Sequence, residues 1–441
     1  MTRKTTAKFI KISDDFIYSF ATKEKYRLNK KDFTRNRKLP FEALVLLMLK
    51  LLRRTIQLEL NSFFKELSGS ISASKQKLTS SAFVQSRKKI NPDLFFDLNN
   101  LIATEYYTDN DEKVELYKGF RVLAIDGSTL HLPVTDDTKK FYGTTNNQVK
   151  TDDVVLGRVS ILYDVLNEIV LDGKLRSLKE GEVPLSQEHF KYLKQGDLVI
   201  MDRAYPSFES AYLLQEQGVH FLFRCKANFS TQLKMFYESN QKDQLIEIKP
   251  SDHRSFKELP YNKDSRLMVR MIRLVLSSGE VEILMTSLLD KKKYLHKEFK
   301  ELYFKRWAIE TFYDRFKNII GVEHFSGTSN QFIQQEFNCA LYISNMQTIL
   351  TEDAQLDAAE KYDHRKYEYK INRSLSLGII RENLIRIYSN KKETETILED
   401  LKEIFLLNVI PVRPNRNNKR DIDKYQRRTK PKQFKNKRSI F

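Results

Sequence analysis

The feature that most restricts this fold is a set of short, apolar, β-branched segments, two of which end in an aspartate. Residues 120–132 read FRVLAIDGSTLHL. An apolar run of this kind before the Asp126–Gly127 step has the character of a buried strand. Residues 196–207, GDLVIMDRAYPS, repeat the arrangement, with Asp202 near the C-terminal end of the run. Between them VVLGRVSILYDVLNEIVLDGKL reads as a hairpin around Leu166, Asn167 and Glu168, and a helix is expected near PLSQEHFKYLKQ. SFESAYLLQEQG follows as a helix capped by Ser207 and stopped by Gly218. VHFLFRCKAN and, further on, GEVEILMTSLL are two more buried strands. A strand hairpin followed by alternating helix and strand predicts a mixed α/β sheet.

The flanks read differently. Residues 1–35 are polar and mixed, and are expected to form a flexible arm. KLPFEALVLLMLKLLRR reads as a buried helix with Pro40 in its first turn, where a missing N–H costs nothing. LELNSFFKEL is a second helix; after the polar loop SGSISASKQKLT, Ser80 or Ser81 can cap a third, AFVQSRKKI; Asn91-Pro92 opens a fourth, DLFFDLNNLIATEYY. This series over 36–112 has the general character of a helix-turn-helix region, in which Arg87, Lys88 and Lys89 would face DNA. The plainer alternative is that these cations form a solvated face of a helical bundle. Residues 229–279 are polar and punctuated, with β-like patches such as RLMVRMIRLVL, and read as a β-rich insertion. A long helix is expected from about Tyr294 to Ile320, ending before Gly321, with more helices to about residue 408. The expected organisation is thus an arm (1–35), a helical region (36–112), two sheet-forming parts (113–228 and 280–350) around the insertion (229–279), a helical C-terminal region (351–410) and a tail (411–441).

At 441 residues the chain has room for about three domains. Its net charge of +18 favours a polyanionic partner, since neutralised phosphates release counterions. The tail, however, holds about a dozen Lys and Arg against two Asp, so it supplies roughly +10 of that charge and reads as disordered. The two cysteines, Cys225 and Cys339, form no CxxC pair, which argues against a structural zinc site. The most apolar stretch, ALVLLMLKLL, is too short to span a bilayer, and the basic N-terminus lacks the apolar run of a signal peptide. A soluble, cytoplasmic, nucleoid-associated protein is expected.

Taken singly, Asp126 and Asp202 could be turn aspartates or helix caps. A third element changes the weighing. YFKRWAIETFYDRFKNIIG carries Tyr303, Arg306, Glu310 and Lys317, which at about 100° per residue fall within roughly 60° of arc on one helix. A phenol, a guanidinium, a carboxylate and an ammonium would then share one face. Two strand-end carboxylates and one on a helix can hold divalent cations through oxygen alone. A pair of such cations stabilises the attacking and leaving oxygens of a phosphodiester.

With these residues in view, the sequence resembles bacterial DDE transposases of the insertion-sequence 4 type. Their last-helix signature, Y-x2-R-x3-E-x6-K, is met by Tyr303, Arg306, Glu310 and Lys317. Their first aspartate ends a strand in a DG step, as Asp126-Gly127 does, and their second is followed by an aromatic, as Asp202-Arg203-Ala204-Tyr205 is. The resemblance covers about residues 115–350. It implies an RNase H-like core interrupted by a β-rich insertion. It also implies Asp126, Asp202 and Glu310 as catalytic ligands of two Mg²⁺ or Mn²⁺ ions, with Tyr303, Arg306, Lys317 and Arg203 on phosphates. The implied reaction is cut-and-paste cleavage and strand transfer on the terminal inverted repeats and target of double-stranded DNA, by a homodimer to which the C-terminal helices would contribute. A base-stacking aromatic is expected from the insertion, where Phe256 and Tyr261 are candidates, while Trp307 is expected to pack beside the site. His131 reads as a strand or loop histidine. Two other functions remain open at this point: an RNase H-fold nuclease without strand transfer, and a non-catalytic DNA-binding protein derived from a transposase.

Overall fold

In the computed structural model the described residues are 3–35, 37–68, 78–108, 114–144, 154–226, 229–251, 255–257, 259–276, 278–389 and 393–413. Six helices open the chain: α1 (Arg3–Tyr18), α2 (Phe20–Tyr26), α3 (Phe41–Leu49), α4 (Ile56–Ser68), α5 (Ser80–Arg87) and α6 (Asp93–Tyr106). The central part runs β1 (Val122–Leu132), α7 (Asp136–Tyr142), β2 (Val155–Asp164), β3 (Ile169–Ser177), α8 (Glu182–Gln187), β4 (Leu198–Met201), α9 (Phe208–Glu216) and β5 (His220–Cys225). It continues through α10 (Thr231–Glu238), β6 (Asp243–Ile248), β7 (Leu267–Val275), β8 (Val281–Thr286), α11 (Glu298–Phe304) and α12 (Trp307–Asn318). Last come α13 (Asn330–Lys361), β9 (Tyr369–Ile371), α14 (Arg373–Ser389), α15 (Thr394–Leu407) and β10 (Val409–Pro411). Two compact units result: residues 110–128 with 158–313, and residues 1–109, 129–157 and 314–441.

The first unit is built on a mixed sheet of order β3-β2-β1-β4-β5-β8-β7-β6. β1, β4 and β5 run parallel, and β8, β7 and β6 continue antiparallel. The reason is composition. Leu123, Ala124, Ile125, Leu198 to Met201 and Phe221 to Phe223 are fully buried, as continuous apolar runs must be when both sheet faces are covered. The register Val122↔Leu198 to Ile125↔Met201 brings β1 and β4 to the same level. A bidentate ion pair of Arg121 with Asp197, at 2.9 and 2.6 Å and buried, fixes the opposite end of that pair of strands. The expected hairpin is present: β2 and β3 flank a turn in which Glu168 has φ 54°. Ser207 accepts from the Ser210 N–H as the α9 cap, and Gly218 follows at φ 68°.

Residues 229–279 supply β structure, and β6 and β7 extend the main sheet beyond β8. Three expectations need correction here. The long helix expected over 294–320 is broken: α11 ends at Phe304 and α12 starts at Trp307. Across the break Arg306 N–H bonds to Tyr303 O, and Ala308 and Ile309 bond three residues back, a tighter turn than an α-helix. Residues 3–26 are helical, not a flexible arm. Phe9, Ile10, Ser13, Asp14 and Ile17 are buried at helical spacing, and the two polar members of that stripe disguise its period. The cap of α5 is Thr79, whose hydroxyl accepts from Ala82 N–H, in place of Ser80 or Ser81.

The second unit is helical, with α6, α14 and α15 gathered on the long, largely buried α13. α3 stops at Leu49, and Leu51 turns the chain at φ 51°. β9 and β10 form a small antiparallel pair, so Val409–Pro411 belongs to the fold; the rest of the expected tail, 414–441, lies outside the described residues. Both cysteines are buried and free. Among the described residues no helix is long and apolar enough to cross a membrane.

Candidate active site

The parallel register decides where the two aspartates go. Ile125 and Met201 are paired across β1 and β4, so Asp126 and Asp202 stand at the same level on neighbouring strands; β4 ends at Met201 as expected, but β1 does not end at the Asp126–Gly127 step and continues to Leu132 beyond its pairing with β4. That level is the C-terminal edge of a parallel sheet, where open α/β folds place their ligands.

Asp126 is held on several sides. Its Oδ1 accepts from Gly127 N–H at 2.8 Å and lies 3.5 Å from the Tyr205 hydroxyl. Its main-chain oxygen accepts from the buried Tyr313 hydroxyl at 2.7 Å. Position 127 must be glycine for a steric reason: a Cβ there would lie 2.7 Å from the Tyr205 hydroxyl oxygen. Burial pushes the Asp126 carboxyl up to about 6; the Gly127 N–H and Arg306 oppose this, and the charges of Glu310 and Asp202 reinforce it.

Asp202 follows β4 directly. Its Oδ1 accepts from Arg203 N–H at 2.6 Å and from the Tyr303 hydroxyl at 3.3 Å. The Tyr303 side chain is buried, and this burial raises its phenol well above the usual range. Glu310 sits in the first turn of α12, where a helix favours an acid. Arg306, in the tight turn between the helices, donates to Glu310 Oε1 at 2.8 Å and stands 3.8 Å from Asp126 Oδ2. It therefore links the helix carboxylate to the strand carboxylate. Its buried Nε has no hydrogen-bond partner among the described residues.

Of the sequence candidates, Asp126, Asp202, Glu310, Tyr303 and Arg306 thus come together. Arg203 is exposed beside Asp202. Lys317 lies in the last turn of α12, half-buried, on the stretch that belongs to the other unit. Trp307, expected to pack, is 43% exposed, with the Arg306 guanidinium 5.5 Å from its ring centre. Of the insertion aromatics, Tyr261 is buried against Phe208, Tyr212 and Phe256, which leaves it no face for a base.

Of the basic trio at the end of α5, Arg87 does not lie on the surface as expected. Arg87 is 1% exposed and spent internally: it pairs with Glu336 at 2.9 Å, donates to Gln335, Ser326 and the Phe332 carbonyl, and lies over the Phe332 ring. Lys89 pairs with Asp32 at 3.3 Å, and only Lys88 is freely exposed. Sequence reasoning also missed two residues. Arg224 on β5 stands 3.9 Å from Asp202 and is anchored by Glu282 on β8 at 2.9 Å. The signal was present, a lone arginine in the apolar strand HFLFRC. Tyr205 was noted as an aromatic but not as the group that packs against Gly127.

The donor set is oxygen-only, which suits hard divalent cations. As placed, no three Asp, Glu, His or Cys side chains among the described residues converge as a metal cage. Burial of the Asp126 carboxyl, which raises it, means that a nearby cation would offset the cost of keeping it ionised. The residues present therefore fit such cations chemically.

Residues 117–346, more than half of the chain, match the family model of the transposase DDE domain. The chain is similar to the transposase for insertion sequence element IS231F of Bacillus thuringiensis subsp. israelensis, 18% identical over 353 residues, which cover 70% of this chain and 71% of that protein. Among solved structures it can be superposed on a piggyBac transposase synaptic complex with hairpin DNA, determined by cryo-EM, at a TM-score of 0.45 and 11% identity, covering 96% of this chain and 86% of that one.

Proposed function

This chain belongs to the transposase DDE domain family and is a DNA transposase, and we propose that it carries out cut-and-paste cleavage and strand transfer with Asp126, Asp202 and Glu310 as its catalytic carboxylates. The observation that carries the assignment is the Ile125↔Met201 register, which sets two aspartates side by side, together with the Arg306 link from Asp126 to Glu310. The strand order β3-β2-β1-β4-β5 supports an RNase H-like core, with β6 and β7 as the product of the inserted segment. The Tyr303, Arg306, Glu310 and Lys317 spacing supports the insertion-sequence 4 type.

Asp126, Asp202 and Glu310 would hold Mg²⁺ or Mn²⁺, two per site. Bound there, the cations supply Lewis acidity for water attack and for the leaving 3′ oxygen. The protein's own residues do the rest. Tyr205 and the Gly127 N–H fix the Asp126 carboxylate, Tyr313 holds the Asp126 main-chain oxygen, and Arg203 N–H with Tyr303 fixes the carboxylate of Asp202. Arg306 and the phenol of Tyr303 bind the phosphate next to the scissile bond, and Arg203 binds a phosphate of the same strand; Lys317, which belongs to the other unit, is a phosphate contact of that unit. The substrates are the terminal inverted repeats of its element and the target duplex, and the active form is a homodimer acting in the cytoplasm at the nucleoid.

The test is incubation of the full chain with Mg²⁺ or Mn²⁺ and a labelled duplex bearing its element's terminal repeat, beside an Asp202→Ala control. Cleavage at the repeat boundary with joined products, absent from the control, is expected. Cleavage without joining would replace the assignment by a nuclease, and binding without cleavage by either protein would sink it.

A further inference from the structure

The helical unit contains a strongly basic surface that the α5 reading passed over. Residues 30–38, in the loop between α2 and α3, carry Lys30, Lys31, Arg35, Arg37 and Lys38, all of them exposed. The one acid in that stretch, Asp32, is buried; it accepts from Asn29 at 3.2 Å and pairs with Lys89. Among the described residues none of the five cations makes an ion pair. Lys23, Lys31, Arg35, Arg37 and Lys89 line one side of an open cleft of about 600 Å³, with Glu42 at the start of α3 as its other acid.

The loop is built, not loose. Leu28 N–H bonds to Lys89 O at 2.9 Å and Asn91 N–H to Tyr26 O at 2.9 Å, tying it to the α5–α6 turn. Arg27 donates to the Asp32 carbonyl at 3.2 Å and pairs with Glu24, while Thr34 caps back onto Lys31 O at 2.9 Å. Phe33 adopts φ 56°, a left-handed conformation unfavourable for an aromatic residue, and its ring meets Phe41 edge-on. These bonds hold the backbone from Tyr26 to Thr34 in place, so little of its ordering entropy remains to be lost on binding, while the exposed side chains adapt to the ligand. Evenly spread lysines and arginines with no internal ion pairs suit the regularly spaced charges of a polyphosphate, the kind of contact that positions a duplex without carrying sequence information.

We propose that the α2–α3 loop is a preorganised binding surface for the phosphate backbone of duplex DNA, placing the DNA without reading its sequence. The identity of the polyanion rests on the function proposed above; the cation geometry does not.

The experiment uses the full chain and two duplexes of unrelated sequence, titrated over a salt series. The Lys31→Ala/Arg35→Ala/Arg37→Ala variant is compared with Lys361→Ala/Lys366→Ala/Lys370→Ala, which removes the same charge from exposed sites elsewhere in the same unit. Loss of three phosphate contacts is expected to lower the slope of log K against log salt by about 2.7. The loss of affinity is expected to be equal on both duplexes and greater than for the control triple. A slope unchanged, or changed no more than in the control, would overturn the proposal. A second measurement needs no variant: duplex DNA should protect Lys30, Lys31 and Lys38 of the wild-type protein from acetylation more than Lys361 and Lys366, and equal labelling would also overturn it. Failure here leaves a wild-type protein that still cuts DNA through Asp202, whereas failure of the active-site assignment leaves one that binds with the same salt slope and cuts nothing.

Discussion

Asp126 is expected to destabilise the metal-free protein at the pH where the enzyme works. Burial, reinforced by Glu310 and Asp202, raises its carboxyl from 3.8 to about 6. The sign follows from proton linkage: the folded state holds the proton more tightly than the unfolded chain, so stability from this group is full below pH 4 and is lost as pH rises through about 6. A shift of roughly two units corresponds to ~3 kcal/mol at pH 7–8. The side chain is only 20% exposed, so solvent screening removes little of this. Asp126→Asn keeps the shape and an acceptor for Gly127 N–H but cannot ionise. Urea unfolding of the two proteins at pH 4 and pH 8, followed by a probe in the sheet unit, should give similar stabilities at the lower pH. At the higher pH the variant should be more stable by ~3 kcal/mol, the size of the lost ionisation penalty. Saturating Mg²⁺ should narrow that gap by stabilising the wild type alone. If the two proteins keep a constant difference across pH, Asp126 is not the strained anion inferred here, and the account of the carboxylate cluster is wrong.

Three further substitutions probe the structural claims. Arg87→Ala should lose ~3–5 kcal/mol in denaturant unfolding, because Glu336 and Gln335 lose a buried partner; DNA affinity of the folded fraction should not change, and a selective affinity loss would restore Arg87 as a DNA contact. Arg121→Ala should cost a similar ~3–5 kcal/mol by leaving Asp197 buried and unpaired at the start of β4, whereas the Arg121→Met/Asp197→Leu pair should recover most of it; no recovery would mean that the ion pair does not hold the register. Gly127→Ala should abolish cleavage by driving a methyl into the Tyr205 hydroxyl, and adding Tyr205→Phe should restore part of it; additive losses in that double mutant would refute the steric explanation.

How much could be read in advance depended on whether a residue's role is set by its own segment or by a partner far along the chain. The buried strands announced themselves through the apolar runs of Val122–Ile125, Leu198–Met201 and Phe221–Phe223, which are buried between covered faces. The ends of the first two runs announced Asp126 and Asp202, since an acid there is costly without a purpose, although β1 itself continues past Asp126 to Leu132. The cap Ser207 and the stop Gly218 were local chemistry. α1 was hidden because Ser13 and Asp14 occupy its buried face, a pattern that only the surrounding helices make affordable. Arg87 looked like a surface cation because its partners, Ser326, Gln335 and Glu336, lie about 240 residues away. The same holds for Arg224, whose meaning comes from Asp202 and Glu282 on neighbouring strands.

The last helix shows how a spacing read as one helical face can arise from a different local geometry. The four signature residues fall on one arc only if residues 303–317 form one unbroken helix, and they do not. The turn at Lys305–Arg306 separates Tyr303, which reaches Asp202, from Glu310, which pairs with Arg306. Arg306 consequently points back into the carboxylates from the turn itself, buried at 5% exposure. A guanidinium has five donors in a planar fork, so it can bond Glu310 through Nη2 while Nη1 stands 3.8 Å from Asp126. An ammonium at the same place could neutralise the cluster but could not hold both groups in fixed directions. The spacing from Tyr303 to Glu310 is thus set by the geometry of a broken helix around one arginine, and the arginine is the residue for which no substitute in the sequence alphabet has the required shape.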